Sequence, residues 1–166
     1  MSEAPFRIAL LDVGHDGSAF TSGSLPLDRY LRERATQDIR RRVAACFVAL
    51  TSEQRIAGYY TLASASMLLA DLPAATAKKL PRYPTVPAVR MGRLAIDAAF
   101  QGKGLGAAML ADALERAMRS EIASCALVVD AKDEEAAAFY RHHGFMAFPD
   151  MPLTLFLPLV TVSTVS

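Results

Sequence analysis

Short apolar runs alternate with polar turns along the chain, and their spacing predicts the secondary structure. Apolar runs predict β-strands at residues 6–12, 43–50, 55–69, 88–97 and 125–131, and residues 145–159 predict one or two more. Helical spacing predicts one helix on Leu27, Leu31, Ala35 and Ile39, a second from Gly104 to Arg119 and a third from Asp133 to His143. Between the third and fourth strands, only a short helix fits among Pro73, Pro81, Pro84 and Pro87.

The order of these elements predicts the fold class. Strands outnumber helices early and alternate with them late, which is typical of an α/β (α+β) domain with a central mixed, mostly antiparallel sheet flanked by helices. We predict one domain at residues 1–160 and a flexible tail at residues 161–166. Finer features are also predicted: a bulge at Gly58, an apolar helix face on Ala107, Leu110, Leu114 and Met118, and a third helix that begins at Asp133 and ends before Gly144.

Composition narrows the class of protein. The chain is 52% hydrophobic, which suffices for a packed core, yet no apolar run reaches the roughly 20 residues of a membrane span. The first residues lack a signal-peptide pattern. Cys46 and Cys125 both lie in apolar, strand-like runs, which indicates reduced core residues. These features favour a cytoplasmic protein without a membrane partner.

Charge is unevenly distributed although the net charge is only +1. Six arginines and three acids lie between Asp28 and Arg42, and five basic residues with no acid lie between Lys78 and Arg93. Between Asp130 and Glu135 the local charge is negative instead. Such runs are most often solvated surfaces, but basic runs also suit a polyanionic partner.

A glycine-rich stretch between the fourth strand and the second helix carries the most specific signal. Glycines let backbone approach a ligand closely, and a helix N-terminus favours anions. The stretch is not a P-loop, because Ala107 follows Gly106 where Ser or Thr is required. Nor is it the dinucleotide motif, because Gly102, Gly104 and Gly106 give G-x-G-x-G. What remains is the pattern Q-x-x-G-x-G, which begins at Gln101.

That pattern resembles the acetyl-CoA pyrophosphate loop of the GCN5-related N-acetyltransferase (GNAT) superfamily. The later stretch DEEAAAFYRHHGF matches a second motif of that family at Ala136, Tyr140, Gly144 and Phe145. Asp133 stands where the family usually has an Asn that often contacts the cofactor. The resemblance covers most of the chain and is strongest from Arg90 to Phe145.

Other stretches, among them IAGYYTLASASM and LPRYPTVPAVRMGRLAID, are similar to acetyltransferase toxins of bacterial toxin–antitoxin pairs. This resemblance implies transfer of an acetyl group from acetyl-CoA to the free α-amino group of aminoacyl-tRNA, which blocks translation. It also implies neutralisation by a ribbon-helix-helix antitoxin, and a homodimer.

The resemblance implies roles for individual residues. Tyr140 would protonate the leaving thiolate as the catalytic acid. The cofactor would be bound by Leu94, Ala95, Ile96, Gln101, Gly102, Lys103, Gly104, Leu105, Gly106, Asp133 and Ala136. The basic segments would contact tRNA through Arg29, Arg32, Arg40, Lys78, Lys79, Arg82, Arg90 and Arg93.

Some alternatives stay open at this point. An aminoacyl ester needs no strong base, because a free α-amine titrates near 7.7–8.0 and the ester lowers that value. His15, His142 and His143 could still act as bases, although structural or surface roles suit them better, and no metal-ligand spacing is present. The acceptor could instead be a small-molecule or protein amine. A non-catalytic acetyl-CoA-binding domain is the third reading, which Tyr140 disfavours.

Overall fold

The computed structural model describes residues 5–160, so the predicted tail lies outside the described residues. Its strands are β1 (Arg7–Leu10), β2 (Ala45–Leu50), β3 (Ile56–Leu68), β4 (Thr85–Ile96), β5 (Ala126–Asp130), β6 (Met146–Phe148) and β7 (Met151–Pro158). Its α-helices are α1 (Leu25–Glu33), α2 (Ala35–Arg40), α3 (Ala74–Ala77), α4 (Leu105–Arg119) and α5 (Glu134–His142). None of the described helices has the length and hydropathy needed to cross a membrane.

The seven strands form one sheet in the order β1-β2-β3-β4-β5-β7-β6. The pairs β1–β2, β2–β3, β5–β7 and β6–β7 are antiparallel, whereas β4 and β5 pair in parallel at Val89↔Leu127, Arg90↔Val128 and Met91↔Val129. The predicted fold class, a mixed and mostly antiparallel sheet with helices, is therefore confirmed.

Chain contacts divide the molecule into two compact units, each built from separate stretches of sequence. The first unit contains the described residues up to Ala63 together with Arg93–Ala113. Its core packs the buried residues of β2 and β3 against α1, with Phe20, Tyr30, Tyr59 and Leu50 among its largest members. Aromatic contacts join them, since the Tyr59 ring lies 5.5 Å from that of Phe20 and 6.2 Å from that of Tyr30.

The second unit contains Ser64–Gly92 and the described residues from Leu114 onward. Its core gathers side chains of β3, β4, β5 and β7, including Met67, Val86, Val128 and Phe156. Phe148 and Phe156 pack edge to face with their ring centroids 5.1 Å apart. The domain boundary at residue 160 stays a prediction.

Helix details differ from the sequence prediction in two places. The first predicted helix is split at Arg34, whose φ of −125° and ψ of −27° interrupt the helix. The hydrogen bonds from Arg34 N–H to Tyr30 O and from Asp38 N–H to Arg34 O continue across the break. The apolar residues therefore keep their helical spacing on both sides of it. The predicted face of α4 is correct only in part: Leu110 is buried, but Ala107 and Leu114 are half-buried and Met118 is exposed. The buried side is formed by Leu105, Met109, Leu110, Ala113 and Ala117. Alanines on both sides of this helix make its apolar periodicity ambiguous.

The predicted irregularity at Gly58 is close to its true position. The β2–β3 register shifts because Ala49 pairs with Gly58 but Leu50 pairs with Ile56, which leaves Ala57 as the extra residue of β3. Gly58 itself is needed for close packing, since a Cβ there would lie 2.9 Å from both Ile96 Cδ1 and Met109 Sδ and 3.1 Å from Ala95 O.

We expect Gly58→Ala to destabilise the fold by about 1–3 kcal/mol, because overpacking forces neighbouring atoms to shift. Urea unfolding measures the change in the free energy of unfolding. Gly14→Ala serves as the control and should stay within about 0.5 kcal/mol of the wild type, because its Cβ would meet only Oδ1 of the exposed Asp12 side chain, at 3.1 Å, which can move. Equal stabilities of the two variants would contradict this packing argument.

Candidate active site

Residues 101–104, which we call the glycine turn, connect the end of β4 to the start of α4. Gly102 and Gly104 have φ angles of +77° and +82°, in the left-handed region that favours glycine. All four residues of the turn are exposed, and a Cβ at either glycine would meet nothing within 4 Å. The glycines are therefore required by the backbone conformation, and the outer side of the turn is open to a ligand.

Asp97 fixes the base of the glycine turn. Its buried carboxylate accepts hydrogen bonds from the N–H groups of Ala99 at 2.9 Å and Thr21 at 3.0 Å, and pairs with the Arg55 guanidinium at 3.3 Å. The Ala98 N–H also donates to Thr21 O at 2.8 Å. The strand end is thus tied to the segment that precedes α1.

Gln101 adds a second tie to the same segment. Its side-chain amide nitrogen donates to Ser22 O at 2.9 Å and to Ile96 O at 2.8 Å, so both amide hydrogens are used within the protein. The Ser22 hydroxyl in turn donates to the buried Asp28 carboxylate on α1 at 2.6 Å. Gln101 therefore shapes the turn, and its backbone and amide oxygen remain available to a ligand.

The glycine turn fits the pyrophosphate predicted from the sequence. The first turn of α4 contains no acidic residue, and unpaired N–H groups at a helix N-terminus favour anions. Lys103 adds an exposed positive charge, with its Nζ 5.7 Å from the Phe100 ring centroid. The other predicted cofactor residues of this unit lie on both sides of the turn: Ala95 and Leu105 are buried, whereas Leu94, Ile96 and Gly106 are half-buried.

Tyr140 lies on α5 in the second unit and is only 4% exposed. Its ring contacts Phe139 and Phe145, with centroid distances of 5.3 and 5.6 Å. Burial raises the pKa of the Tyr140 hydroxyl well above its usual value, and the negative charge of Asp130 raises it further. The phenol therefore stays neutral and can act as a proton donor.

Asp133 has a structural role that its sequence position predicts. Its carboxylate accepts the Ala136 N–H at 2.9 Å and so caps the N-terminus of α5. Asp133 is exposed and Ala136 is half-buried. Their predicted contact with the cofactor stays a prediction.

Arg90 on β4 and Asp130 at the end of β5 form an ion pair through a single guanidinium nitrogen. The Arg90 Nη1 atom lies 2.7 Å from each oxygen of the Asp130 carboxylate. Both side chains are about 40% exposed, at 42% and 38%. The pair stands at the end of β5, just before the segment that leads to α5.

The residues predicted to bind tRNA fall into two groups by their contacts. In the first group, the cation makes an intramolecular contact: Arg32 donates to Phe20 O at 3.2 Å, Arg93 lies 3.6 Å from the Tyr30 ring centroid, and Arg90 pairs with Asp130. The second group is exposed and takes part in no ion pair or side-chain hydrogen bond with another described residue; it comprises Arg29 and Arg40 in the first unit and Lys78, Lys79 and Arg82 in the second.

Three other candidate side chains, His15, His143 and Cys46, make structural contacts or are buried. His15 Nδ1 accepts the Asp12 N–H at 3.0 Å, and the His143 ring packs 4.7 Å from that of Phe139. Cys46 is buried, and burial raises the pKa of its thiol to about 12. Within residues 5–160, no three His, Cys, Asp or Glu side chains are grouped as metal ligands would be.

Three residues of the site were missed by sequence reasoning: Asp97, Ser22 and Asp130. Asp97 ends one apolar run and Asp130 lies one residue before the end of another, and an acid near the end of a strand is the signal that could have identified them. Ser22 gives no such signal, because its partner Gln101 is 79 positions away.

Comparison with known proteins agrees with this geometry. The model of the acetyltransferase (GNAT) family matches residues 18–145. A tRNA-acetylating toxin of Mycobacterium tuberculosis is 39% identical over 156 residues, which cover 93% of this chain and 90% of that protein.

Two solved structures have the same fold. AtaT complexed with acetyl-methionyl-tRNAfMet superposes with a TM-score of 0.89 at 29% identity, and covers 96% of this chain and 98% of its own. AtaTR bound with AcCoA gives a TM-score of 0.84 at 28% identity, with 97% and 98% covered. With its glycine turn and its family match over most of its length, the chain belongs to the acetyltransferase (GNAT) family.

Proposed function

We propose that this protein is a toxin-type N-acetyltransferase that transfers the acetyl group of acetyl-CoA to the free α-amino group of aminoacyl-tRNA and thereby blocks translation. The glycine turn carries the proposal. The turn is exposed, has left-handed backbone at two glycines and lies at the N-terminus of α4. Hydrogen bonds of Asp97 and Gln101 fix its conformation. The chain that carries it is 39% identical to a tRNA-acetylating toxin.

Acetyl-CoA, the acetyl donor, would be bound mainly by backbone groups. The N–H groups of residues 102–106 would bind the pyrophosphate of acetyl-CoA, and the positive end of α4 favours its charge. Residues 94–96 at the end of β4 would pair with the pantetheine amides. Lys103 is free to add a charge contact because it is exposed.

Tyr140 would act as the general acid of the transfer. The amine nitrogen attacks the thioester carbonyl carbon, the C–S bond breaks, and the Tyr140 hydroxyl protonates the departing sulfur. The proton lost by the amine passes to solvent, and solvent restores the phenol. The raised pKa keeps the hydroxyl protonated when the sulfur leaves but also makes it a weaker acid, so the phenol first donates a hydrogen bond to the developing thiolate and gives up its proton as the C–S bond breaks.

The acceptor requires no dedicated base. An α-amine beside an ester is partly neutral at pH 7, because its pKa lies below the usual 7.7–8.0. Phosphate contacts would supply most of the affinity for tRNA. The exposed cations that have no ion-pair partner among the described residues are available for such contacts: Arg29, Arg40, Lys78, Lys79 and Arg82.

Partners and location follow from the same proposal. An enzyme that blocks translation must be restrained in its own cell, and we infer a ribbon-helix-helix antitoxin as the restraint. The site of action is the cytoplasm, where charged tRNA is found. A homodimer is inferred from the sequence resemblance alone.

Replacing Gly104 should impair binding of the donor. Gly104→Ala forces a side chain into a left-handed φ of +82°, so the turn must shift, and we expect acetyl-CoA to bind at least about 10-fold more weakly. Isothermal titration calorimetry measures the Kd. Gly144→Ala carries the same strain at φ +94° and should lose stability with an unchanged Kd. Wild-type affinity in Gly104→Ala would refute the pyrophosphate assignment.

Replacing Tyr140 should slow transfer while leaving the donor bound. Total charged tRNA is incubated with labelled acetyl-CoA, with uncharged tRNA as the substrate control. Label should appear on charged tRNA alone, and Tyr140→Phe should lower kcat by about 10²-fold with little change in acetyl-CoA Kd. Because the pKa of Tyr140 is raised, the wild-type initial rate, corrected for alkaline hydrolysis of the aminoacyl ester, should show no decline near pH 10 that comes from ionisation of this phenol.

The exposed Tyr83 offers a matched control, since Tyr83→Phe should keep the full rate. Bound acetyl-CoA without label on charged tRNA would overturn the proposed acceptor and direct attention to small-molecule and protein amines. Full activity in Tyr140→Phe would remove this residue from the mechanism.

The two adjacent lysines should contribute to the salt dependence of RNA binding. For Lys78→Gln/Lys79→Gln, the slope of log K against log[salt] should flatten by about 1 for each lysine that contacts phosphate. Filter binding of tRNA between 50 and 200 mM salt, roughly the range in which such contacts are sensitive, measures the slope. Arg7→Gln/Arg119→Gln removes the same net charge and should leave the slope unchanged. Equal slopes in both double variants would exclude the lysines.

A further inference from the structure

The turn from α2 into β2 contains an arginine where helices usually place glycine. Arg42 has a φ of +59°, in the left-handed region. The Arg42 N–H donates to Ile39 O and the Val43 N–H donates to Asp38 O, each at 3.0 Å. This pair of hydrogen bonds is the Schellman motif, whose left-handed position is most often occupied by glycine. Arginine at position 42 therefore makes the turn less stable than glycine would.

The strained residue belongs to an uninterrupted run of positive charge. Arg40, Arg41 and Arg42 are all exposed. None of the three forms an ion pair or a side-chain hydrogen bond with another residue in the described part of the chain. The nearby acid Asp38 accepts a hydrogen bond from the Tyr30 hydroxyl at 2.8 Å instead. Three adjacent like charges repel one another, and within residues 5–160 the C-terminal dipole of α2 is the one feature that offsets this repulsion.

The arginine run and the glycine turn lie at opposite ends of strand β2. Arg42 precedes Ala45, the first residue of β2, by three positions. At the other end of β2, Leu50 pairs with Ile56, and the neighbouring Ala57 O accepts the Asp97 N–H at 2.8 Å, at the base of the glycine turn. A strand of six residues is about 20 Å long. Any anion bound by the arginines would therefore be distinct from a pyrophosphate at the glycine turn.

We propose that residues 40–42 form a phosphate-binding element for the backbone of the acceptor RNA. The inference rests on the proposed function for the identity of the RNA, and it extends the predicted contact at Arg40 to Arg41 and Arg42. The planar guanidinium group binds phosphate in a bidentate manner, which lysine cannot do. The left-handed arginine adds a third phosphate ligand at a position where glycine would give a more stable turn.

Two variants of Arg42 separate charge from strain. Arg42→Gly removes both, so we expect Tm to rise by about 2–4 °C and the affinity for uncharged tRNA to fall about 3- to 10-fold, with a salt slope lower by about 1. Arg42→Lys keeps the charge and the strain but loses the bidentate geometry, so it should show no rise in Tm, keep the wild-type salt slope and lose less affinity than Arg42→Gly. The acetyl-CoA Kd should be the same in all variants.

Gln54 provides a matched control, because it is another residue other than glycine with a positive φ, at +67°. Gln54→Gly should also raise Tm but leave tRNA binding unchanged. If Arg42→Gly binds tRNA with wild-type affinity and salt slope, the phosphate-binding element is refuted, even where the wild type acetylates charged tRNA. If tRNA binding depends on Arg42 but charged tRNA is not acetylated, the element stands and the proposed function fails. If the wild type binds no tRNA, both fail.

Discussion

The buried carboxylate of Asp97 fixes the part of the molecule that contains the glycine turn, where acetyl-CoA is proposed to bind. A charged group at 2% exposure is stable only when its oxygens are satisfied, and here two backbone N–H groups and Arg55 satisfy them. Because one of those N–H groups belongs to Thr21, the same carboxylate fixes both the base of the glycine turn and the approach to α1. Gln101 repeats this connection through Ser22 and Asp28. The turn can therefore stay open to solvent and still hold its left-handed shape.

Helix α1 is fixed by a second polar arrangement, centred on Tyr30. The Arg93 guanidinium stacks on its ring at 3.6 Å, and its hydroxyl donates to Asp38 on α2. Burial and that hydrogen bond raise the pKa of Tyr30 well above its usual value, while Arg93 acts in the opposite direction. Arg93 thus joins strand β4 to the two helices as a packing residue, a role that its place in a basic segment does not suggest. Side-chain stacking of this kind is not encoded in spacing along the chain.

The elements and the glycine turn could be predicted from sequence because their signals are local. Apolar runs give the strands, Gly102 and Gly104 mark left-handed backbone between a strand and a helix, and Asp133 lies at the expected capping position. The face of α4 could not be predicted, since alanine is compatible with either side of a helix. The anchoring contacts were also missed, because Thr21 and Asp97 are 76 positions apart and only the fold brings them together. Tyr140 was identified from a motif, whereas the charge of Asp130 that acts on it depends on tertiary structure.

The arrangement of the basic residues explains how a chain with a net charge of +1 could bind a polyanion. Arg55, Arg90 and Arg93 each face a carboxylate or an aromatic ring, so their charges serve the fold. The arginines of residues 40–42 have no such partner among the described residues, and neither do Lys78 and Lys79, which follow one another in the sequence. No neighbouring carboxylate in this part of the chain therefore reduces the electrostatic potential of these cations. Net charge therefore understates the local potential, because paired cations add little to it and unpaired ones dominate it. Arg42 shows this most clearly among the unpaired cations, because a charged residue occupies a left-handed position whose backbone conformation favours glycine.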